Sequence, residues 1–391
     1  MDGPRAATSK ILCLFGTRPE AIKLAPVIRE LQARSMRVVT VNTGQHRDLL
    51  DPLLTLLDIP DNYNLKVMRP EQSLSQLSGN ILSHLDPIFS RESPDFVLVQ
   101  GDTSSALIGA LTAFHHKTAL GHVEAGLRSG NRKSPFPEEM NRRLITQLAD
   151  YHFAATPSNR ETLISEGVAE QNIFVTGNPV VDSLRHIQRE KPMSVRLKQL
   201  LDDSAHSKRL VLTTHRRENF GDTMLSHLHI LKDFVIQNQD ITLIFPVHPN
   251  PAVHRAANAI FSGHKRILLI EPLTYPDFIG LLSHSWLIVS DSGGIQEEAP
   301  SLGKPLLILR ENTERPESVE SGIAQLVGHH PEQLGRLLEE AYRQFPHSTQ
   351  TSLAKNPFGQ GNAAKLIVDQ LEILFDQQHT ASRQSFGVHN I

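Results

Sequence analysis

The sequence predicts an α/β protein built from two doubly wound, parallel-sheet domains. Three observations carry this. Short apolar runs of strand length alternate with amphipathic helical patterns, the signature of βαβ units. The 391 residues exceed one ordinary domain. The alternation also breaks at a polar, charged stretch, Arg185 to Lys208, and then restarts with a fresh strand.

In chain order, residues 1–9 read as a loose leader. Ile11 to Phe15 is a strand, Gly16-Thr17-Arg18-Pro19-Glu20 a turn, and Ile22, Ala25, Ile28 and Leu31 mark one face of a helix. Arg37 to Val41 is the second strand, ended by Thr43-Gly44-Gln45-His46. A helix over Ser75 to Phe89 precedes the strand Phe96 to Val99. Gln100-Gly101-Asp102-Thr103 ends that strand, with Thr103 or Ser104 as a helix cap. The apolar run Thr118 to Gly121 leads into His122-Val123-Glu124-Ala125-Gly126-Leu127-Arg128, a proline-rich loop, and a helix from Met140 to Leu148. A strand near Tyr151 to Ala154 and a helix from Ser158 to Glu166 complete the first half. In the second half, strands are predicted at Leu210–Thr214, Ile241–Phe245, Ile267–Ile270, Leu287–Ser290 and Pro305–Ile308. Helices are predicted at Met224–Gln237, Pro276–His284, Ile295–Leu302, Pro331–Gln344 and Ala363–Phe375. Two such halves form a cleft, a common place for a small-molecule site.

Composition narrows the function. The formal net charge is −3, with acids and bases interspersed and no basic block for nucleic acid or a membrane. No apolar run reaches the length of a membrane span or a signal core, and a single cysteine, Cys13, builds no disulfide framework. A cytoplasmic location follows as the expectation. The 20 histidines form no ligand cluster, so no metal is predicted.

Ligands of open α/β sheets bind beyond the carboxyl ends of the strands. In the second half those ends carry cations and glycines: His215, Arg216 and Arg217, then Asp291-Ser292-Gly293-Gly294 opening a helix, then Arg310 and Arg315. Glycines allow close backbone approach and a helix N-terminus attracts phosphate, so a diphosphate ligand is predicted. Glu298, one turn into the helix, suits ribose hydroxyls. In the first half the ends carry acids, Asp102, Glu124 and Glu138, candidates for general acid and base. Arg142, four residues after Glu138, is placed to pair with it. One domain would grip a nucleotide while the other works on its sugar.

These segments, taken with Gly16-Thr17-Arg18-Pro19-Glu20-Ala21-Ile22-Lys23, Pro137-Glu138-Glu139-Met140-Asn141-Arg142 and Thr214-His215-Arg216-Arg217-Glu218-Asn219, resemble the non-hydrolysing UDP-N-acetylglucosamine 2-epimerases. The resemblance runs in order from about Lys10 to Phe375. It implies the GT-B architecture: two Rossmann-like domains facing across a cleft, with the last helix crossing back. That gives residues 1–178 plus 362–378 as the first domain, 179–361 as the second, and 379–391 as a disordered tail.

The implied reaction interconverts UDP-N-acetylglucosamine and UDP-N-acetylmannosamine without a cofactor. UDP leaves to give 2-acetamidoglucal and then returns. By position, Asp102, Glu124 and Glu138 resemble the catalytic carboxylates, with Arg142 supporting Glu138, and His215 resembles the histidine near the phosphates. Arg18, Ser292, Gly293 and Gly294 resemble diphosphate contacts, Glu298 the ribose clamp, and Phe278 a neighbour of the uracil. Lys23, Gln45, Gln72 and Arg315 resemble further active-site positions. Homodimers are usual in the family. Related enzymes hydrolyse the substrate or act on UDP-2,3-diacetamido-glucuronate. A GT-B glycosyltransferase or a nucleotide-sugar sensor would share the cradle but would not need the clustered acids. Some bacterial members bind a second UDP-N-acetylglucosamine through residues resembling Gln45, His46, Arg216 and His248. Those carry arginine just before the residue matching Gln72; here Glu71 stands there, with Arg69 two residues earlier.

Overall fold

A computed structural model describes residues 9–45, 47–216, 219–328, 330–344 and 356–387. The expected leader is therefore described only from Ser9, and His46 and Arg217 lie outside the described residues. The chain divides into two compact units. One holds the described residues up to Ser183 together with those from Phe358 onward; the other is Leu184–Pro357.

The first unit contains β1 (Lys10–Phe15), α1 (Arg18–Ala33), β2 (Arg37–Asn42), α2 (Arg47–Leu56), β3 (Tyr63–Asn64), α3 (Leu74–Glu92) and β4 (Phe96–Gln100). It continues with α4 (Ser104–His115), β5 (Ala119–Ala125), α5 (Glu138–Leu148), β6 (Tyr151–Ala154), α6 (Pro157–Ser165), β7 (Ile173–Val175) and the start of α7 (Pro179–Glu190). The sheet order is β3-β2-β1-β4-β5-β6-β7, and every pairing is parallel. Helices on both faces bury such a sheet, so β1 is apolar from Ile11 to Phe15 and β4 from Phe96 to Val99.

The second unit contains the rest of α7, then α8 (Val195–Asp203), β8 (Lys208–Thr213), α9 (Asp222–Gln237), β9 (Ile241–Pro246), α10 (Pro251–Phe261), β10 (Ile267–Ile270) and α11 (Tyr275–Ser283). It ends with β11 (Leu287–Ser290), α12 (Ile295–Ser301), β12 (Leu306–Ile308), α13 (Pro316–Glu320), β13 (Ala324–Leu326) and α14 (Glu332–Gln344). Its sheet, also parallel throughout, runs β10-β9-β8-β11-β12-β13. Each unit has its own apolar core.

The final helix, α15 (Ala363–Gly387), belongs to the first unit. Ile367, Val368 and Leu371 are fully buried. Phe375 packs edge-on against Phe96 of β4 at 5.9 Å, and Arg34 pairs with Asp369 at 2.7 Å and Glu372 at 2.6 Å.

The structure departs from the sequence expectations in four places. The domain boundary falls at Ser183 rather than Asn178, because Ser183 donates to the Ile22 carbonyl and Asp182 accepts the amides of Ala363 and Ala364 at 3.1 Å each. The polar stretch Arg185 to Lys208, expected to separate the halves, holds the end of α7 and all of α8, whose Ile187, Leu197 and Leu201 are buried between charged positions. The expected disordered tail is helical backbone as far as Gly387, since no glycine or proline interrupts residues 376–386; residues 388–391 lie outside the described residues. Finally, β5 does not stop at Gly121 but runs to Ala125, paired with β4 as far as Val123 and with β6 on either side of an irregularity at Glu124.

Candidate active site

In both units the strand order reverses beside the first strand, and the crevice at that switch point is the predicted ligand site of a doubly wound sheet. In the first unit it lies between the ends of β1 and β4. Gly16 closes β1. A Cβ there would stand 2.0 Å from the Thr43 hydroxyl oxygen and 2.3 Å from that of Ser105, so only glycine fits. Thr43 and Ser105 share a 2.7 Å hydrogen bond, and Ser105 donates to Gln45 Oε1 at 2.8 Å. Arg18, half-buried, opens α1.

Buried Glu20 ties the two turns together. Its Oε2 accepts from the amides of Gly16 (3.0 Å) and Thr17 (2.8 Å) and from the Thr17 hydroxyl (2.8 Å); its Oε1 accepts from the Thr103 hydroxyl at 2.6 Å. Burial pushes its pKa up to about 7, against the lowering pull of those hydrogen bonds. Thr103 in turn caps α4, accepting the Ala106 amide at 3.0 Å.

Glu124 sits where β5 slips register against β6, at φ +65°, a conformation costly for a side chain without glycine's freedom. Its carboxylate is held by Lys23, by Gln100 and by Asn178 Nδ2 at 2.9 Å. Strain of this kind persists only where surrounding contacts over-determine it, and three donors on one carboxylate do so. Lys23 is buried beside it and serves as its counter-ion.

Asp102 follows β4. Arg142 Nη2 of α5 reaches its Oδ2 at 2.5 Å, and Asn141 Nδ2 donates to its carbonyl at 2.8 Å. The expectation had set Arg142 beside Glu138. In the structure its guanidinium instead lies between Asp102 and Glu139, 3.5 Å from the latter's Oε2. Fully buried Glu139 also accepts from Arg143 Nε at 3.0 Å and the Ser129 amide at 2.9 Å, a bracing role for the loop. Glu138, half-buried, is the first residue of α5. Arg128 is engaged by Glu166 at 2.6 Å and by Thr146. His122 Nε2 meets the Gly101 carbonyl at 2.7 Å, and burial lowers its pKa to about 3, so it is a neutral core residue. Gln72 precedes α3 and accepts the Arg69 amide at 3.1 Å.

In the second unit the switch point lies between β8 and β11. Asp291, fully buried, ends β11 and gathers the loop after β8. It accepts from the Thr214 hydroxyl at 2.7 Å, the amides of His215 (3.1 Å) and Arg216 (3.0 Å), and Asn219 Nδ2 at 3.0 Å. His215 Nδ1 lies 3.2 Å from its Oδ1. Burial raises its pKa, yet the interactions with His215, Arg216 and Thr214 outweigh that and bring it down to about 2.

Over Gly293 two guanidiniums converge. A Cβ there would lie 3.3 Å from Arg315 Nη1 and 3.5 Å from Arg216 Nη2. Arg315 is held by Glu297 and, at 3.0 Å, by Glu314. Ser292 and Gly294 complete the turn, the Ser292 amide donating to the Ser290 hydroxyl oxygen at 3.0 Å. Helix α12, which this turn opens, has only 7 residues. Buried Glu298 accepts from the Tyr275 hydroxyl at 3.1 Å, and Phe278 lies half-buried on the same helix as Tyr275.

The structure thus joins Lys23 to Glu124 and Asp102 to Arg142 in the first unit, and gathers His215, Gly293 and Arg315 around one turn in the second. It adds Glu20, Gln100, Asn178, Glu297 and Asp291, which sequence reasoning had passed over. One signal was available: Asp291 is an anion inside a turn otherwise suited to phosphate. Among the described residues no cluster of histidine, cysteine, aspartate and glutamate could hold a metal ion. No described helix is long and apolar enough to cross a membrane.

Residues 29–372 match the family model described as UDP-N-acetylglucosamine 2-epimerase. The UDP-N-acetylglucosamine 2-epimerase of Bacillus subtilis (strain 168) is 43% identical over 364 residues, covering 93% of this chain and 94% of its own. The crystal structure of the Neisseria meningitidis UDP-GlcNAc 2-epimerase bound to UDP-GlcNAc superposes with a TM-score of 0.84 at 40% identity, covering 93% of this chain and 99% of that one. An S. aureus co-structure of MnaA with UDP reaches 0.86 at 39% identity, covering 94% and 97%. These matches span nearly the whole chain, and the chain belongs to the UDP-N-acetylglucosamine 2-epimerase family.

Proposed function

We propose that the chain interconverts UDP-N-acetylglucosamine and UDP-N-acetylmannosamine by inverting C2 through loss and return of UDP. The observation that carries this reading is the pair of differently held carboxylates at adjacent strand ends, Asp102 against Arg142 and Glu124 among three donors. Inversion needs a proton taken from one face of C2 and another delivered to the opposite face, hence two acid–base groups in unlike environments. Asp102 is the base, with Glu124 or Glu138 as its counterpart.

The C2 proton is not acidified by a neighbouring carbonyl. Its removal is therefore coupled to breaking the C1–O bond, giving 2-acetamidoglucal and UDP. Re-addition of UDP at C1, with a proton delivered to C2 from the other face, closes the cycle without oxidant or reductant. The charge that develops on the leaving diphosphate is met by His215, Arg216 and Arg315 around the Ser292–Gly294 turn, the kind of stabilisation that often dominates catalysis. Glu298, oriented by Tyr275, receives the ribose hydroxyls, and Phe278 lies by the uracil. Lys23 fixes Glu124, while Gln45 and Gln72 flank the sugar. The working form is a cytoplasmic homodimer, of the non-hydrolysing type, supplying N-acetylmannosamine units for surface polysaccharide.

Incubation with UDP-N-acetylglucosamine alone in heavy water tests the assignment. The proposal requires UDP-N-acetylmannosamine carrying deuterium at C2. Free N-acetylmannosamine with UDP would mean a hydrolysing enzyme, and no turnover without an acceptor would mean a glycosyltransferase.

A further inference from the structure

We propose that Asp291 is a positioning residue for the reaction: it orients the His215 ring through Nδ1 and holds it as an imidazolium, so that Nε2–H is free to donate to the departing diphosphate. This rests on the reading that the second unit holds UDP.

The geometry argues it in steps. Asp291 Oδ1 lies 3.2 Å from His215 Nδ1, and an ionised carboxylate can only accept, so Nδ1 carries a proton. A neutral ring with its proton on Nδ1 has a bare acceptor at Nε2, which would repel a phosphate oxygen. Donation to phosphate therefore requires both nitrogens to be protonated, and a fully buried anion alongside stabilises that charge. Asp291 is equipped to remain an anion. Two backbone amides, the Thr214 hydroxyl and Asn219 Nδ2 all donate to it.

The other groups around His215 sharpen the case. From the segment after β9, the His248 ring stacks on it at 5.5 Å and 22°. Burial lowers the pKa of His248, and His215 lowers it further against an opposing pull from Asp291. Arg216 on the same loop and Arg315 at the start of α13 bring positive charge to the Gly293 turn. Glu297 and Glu314 are paired with Arg315, whereas Asp291 is the acid within ion-pair distance of the His215 ring, so a cationic His215 depends on it.

A merely structural latch would need only an acceptor for the loop amides. The test therefore reads the ring itself. In histidine-labelled enzyme saturated with UDP, ¹⁵N NMR should show both His215 nitrogens protonated, the signal being assigned by its loss in His215→Asn. Asp291→Asn should bind UDP within a few-fold of wild type yet lose kcat by about 10- to 100-fold, as when a partner orienting a functional histidine is removed. The double variant should be no slower than His215→Asn alone. A neutral His215 in the UDP complex, wild-type kcat in Asp291→Asn, or additive losses in the double variant would each overturn the proposal. If Asp291→Asn fails to fold, the wild-type spectrum decides alone. No UDP binding by wild type sinks the nucleotide reading itself; binding with a neutral ring sinks only the role of Asp291.

Discussion

Arg142 stands between two acids, Asp102 at 2.5 Å and the fully buried Glu139 at 3.5 Å. Arg142→Ala would strip both of a cation at once. Removing one partner of a buried pair leaves an uncompensated charge and costs about 3 kcal/mol or more. The variant should therefore melt several degrees lower as well as turn over slowly, which thermal unfolding and a rate assay separate. Asp102→Asn is the cleaner probe of chemistry, since it preserves shape and removes the proposed base. Elimination should slow by roughly 100-fold or more, the usual worth of a positioned base. If release of 2-acetamidoglucal and UDP stays near the wild-type rate, Asp102 is not the base. At this scale the sequence was half legible. Residue types at strand ends pointed to Asp102, Glu124, His215 and Arg315 as candidates, because strand ends are where a parallel sheet meets its ligand. Partners were not legible. Helical spacing pointed Arg142 at Glu138, four residues away, whereas the partner found is 40 residues distant in sequence and reached only through the fold. Asp291 was read with its phosphate-like turn, yet it faces inward to brace the β8 loop.

The turns between elements carry the site, and their glycines are the places to test it. At Gly293 a methyl group would press on the guanidiniums of Arg315 and Arg216 at 3.3 and 3.5 Å, while the residue has no left-handed φ to lose. Gly293→Ala should therefore fold normally and weaken UDP binding by about tenfold, the scale of one charge-assisted hydrogen bond, as titration calorimetry would show. Unchanged affinity would remove this turn from the nucleotide site. Most elements were readable from periodicity, and those missed share a cause. The helices α7 and α8 are amphipathic with charged outer faces, so their composition resembles a linker. The last residues of β5 were taken for loop because a charged side chain and a histidine interrupt the apolar run, although both are buried.

Each unit is a complete doubly wound sheet with its own core, and α15 is the part of the first unit that comes last in the chain. Its buried Ile367, Val368, Leu371 and Phe375 make it a structural layer rather than a tail. A chain ending before Ala363 should lose this layer and show the first unit's unfolding shifted down by 10 °C or about that much, while the second unit's transition stays put. Coincident loss of both transitions would contradict two separate cores. The alternation of strands and helices made the two-unit plan legible, whereas the long reach of α15 depended on burial contacts that no local pattern encodes.

The central claim is that C1–O cleavage accompanies inversion at C2, and isotope scrambling tests it most directly. UDP-N-acetylglucosamine labelled with ¹⁸O in the C1–O–phosphate bridge is incubated with enzyme in heavy water. If UDP leaves and returns, the label passes into non-bridging positions of the β-phosphate, and recovered sugar nucleotide carries deuterium at C2. Deuterium at C2 with the ¹⁸O still wholly in the bridge would contradict the account.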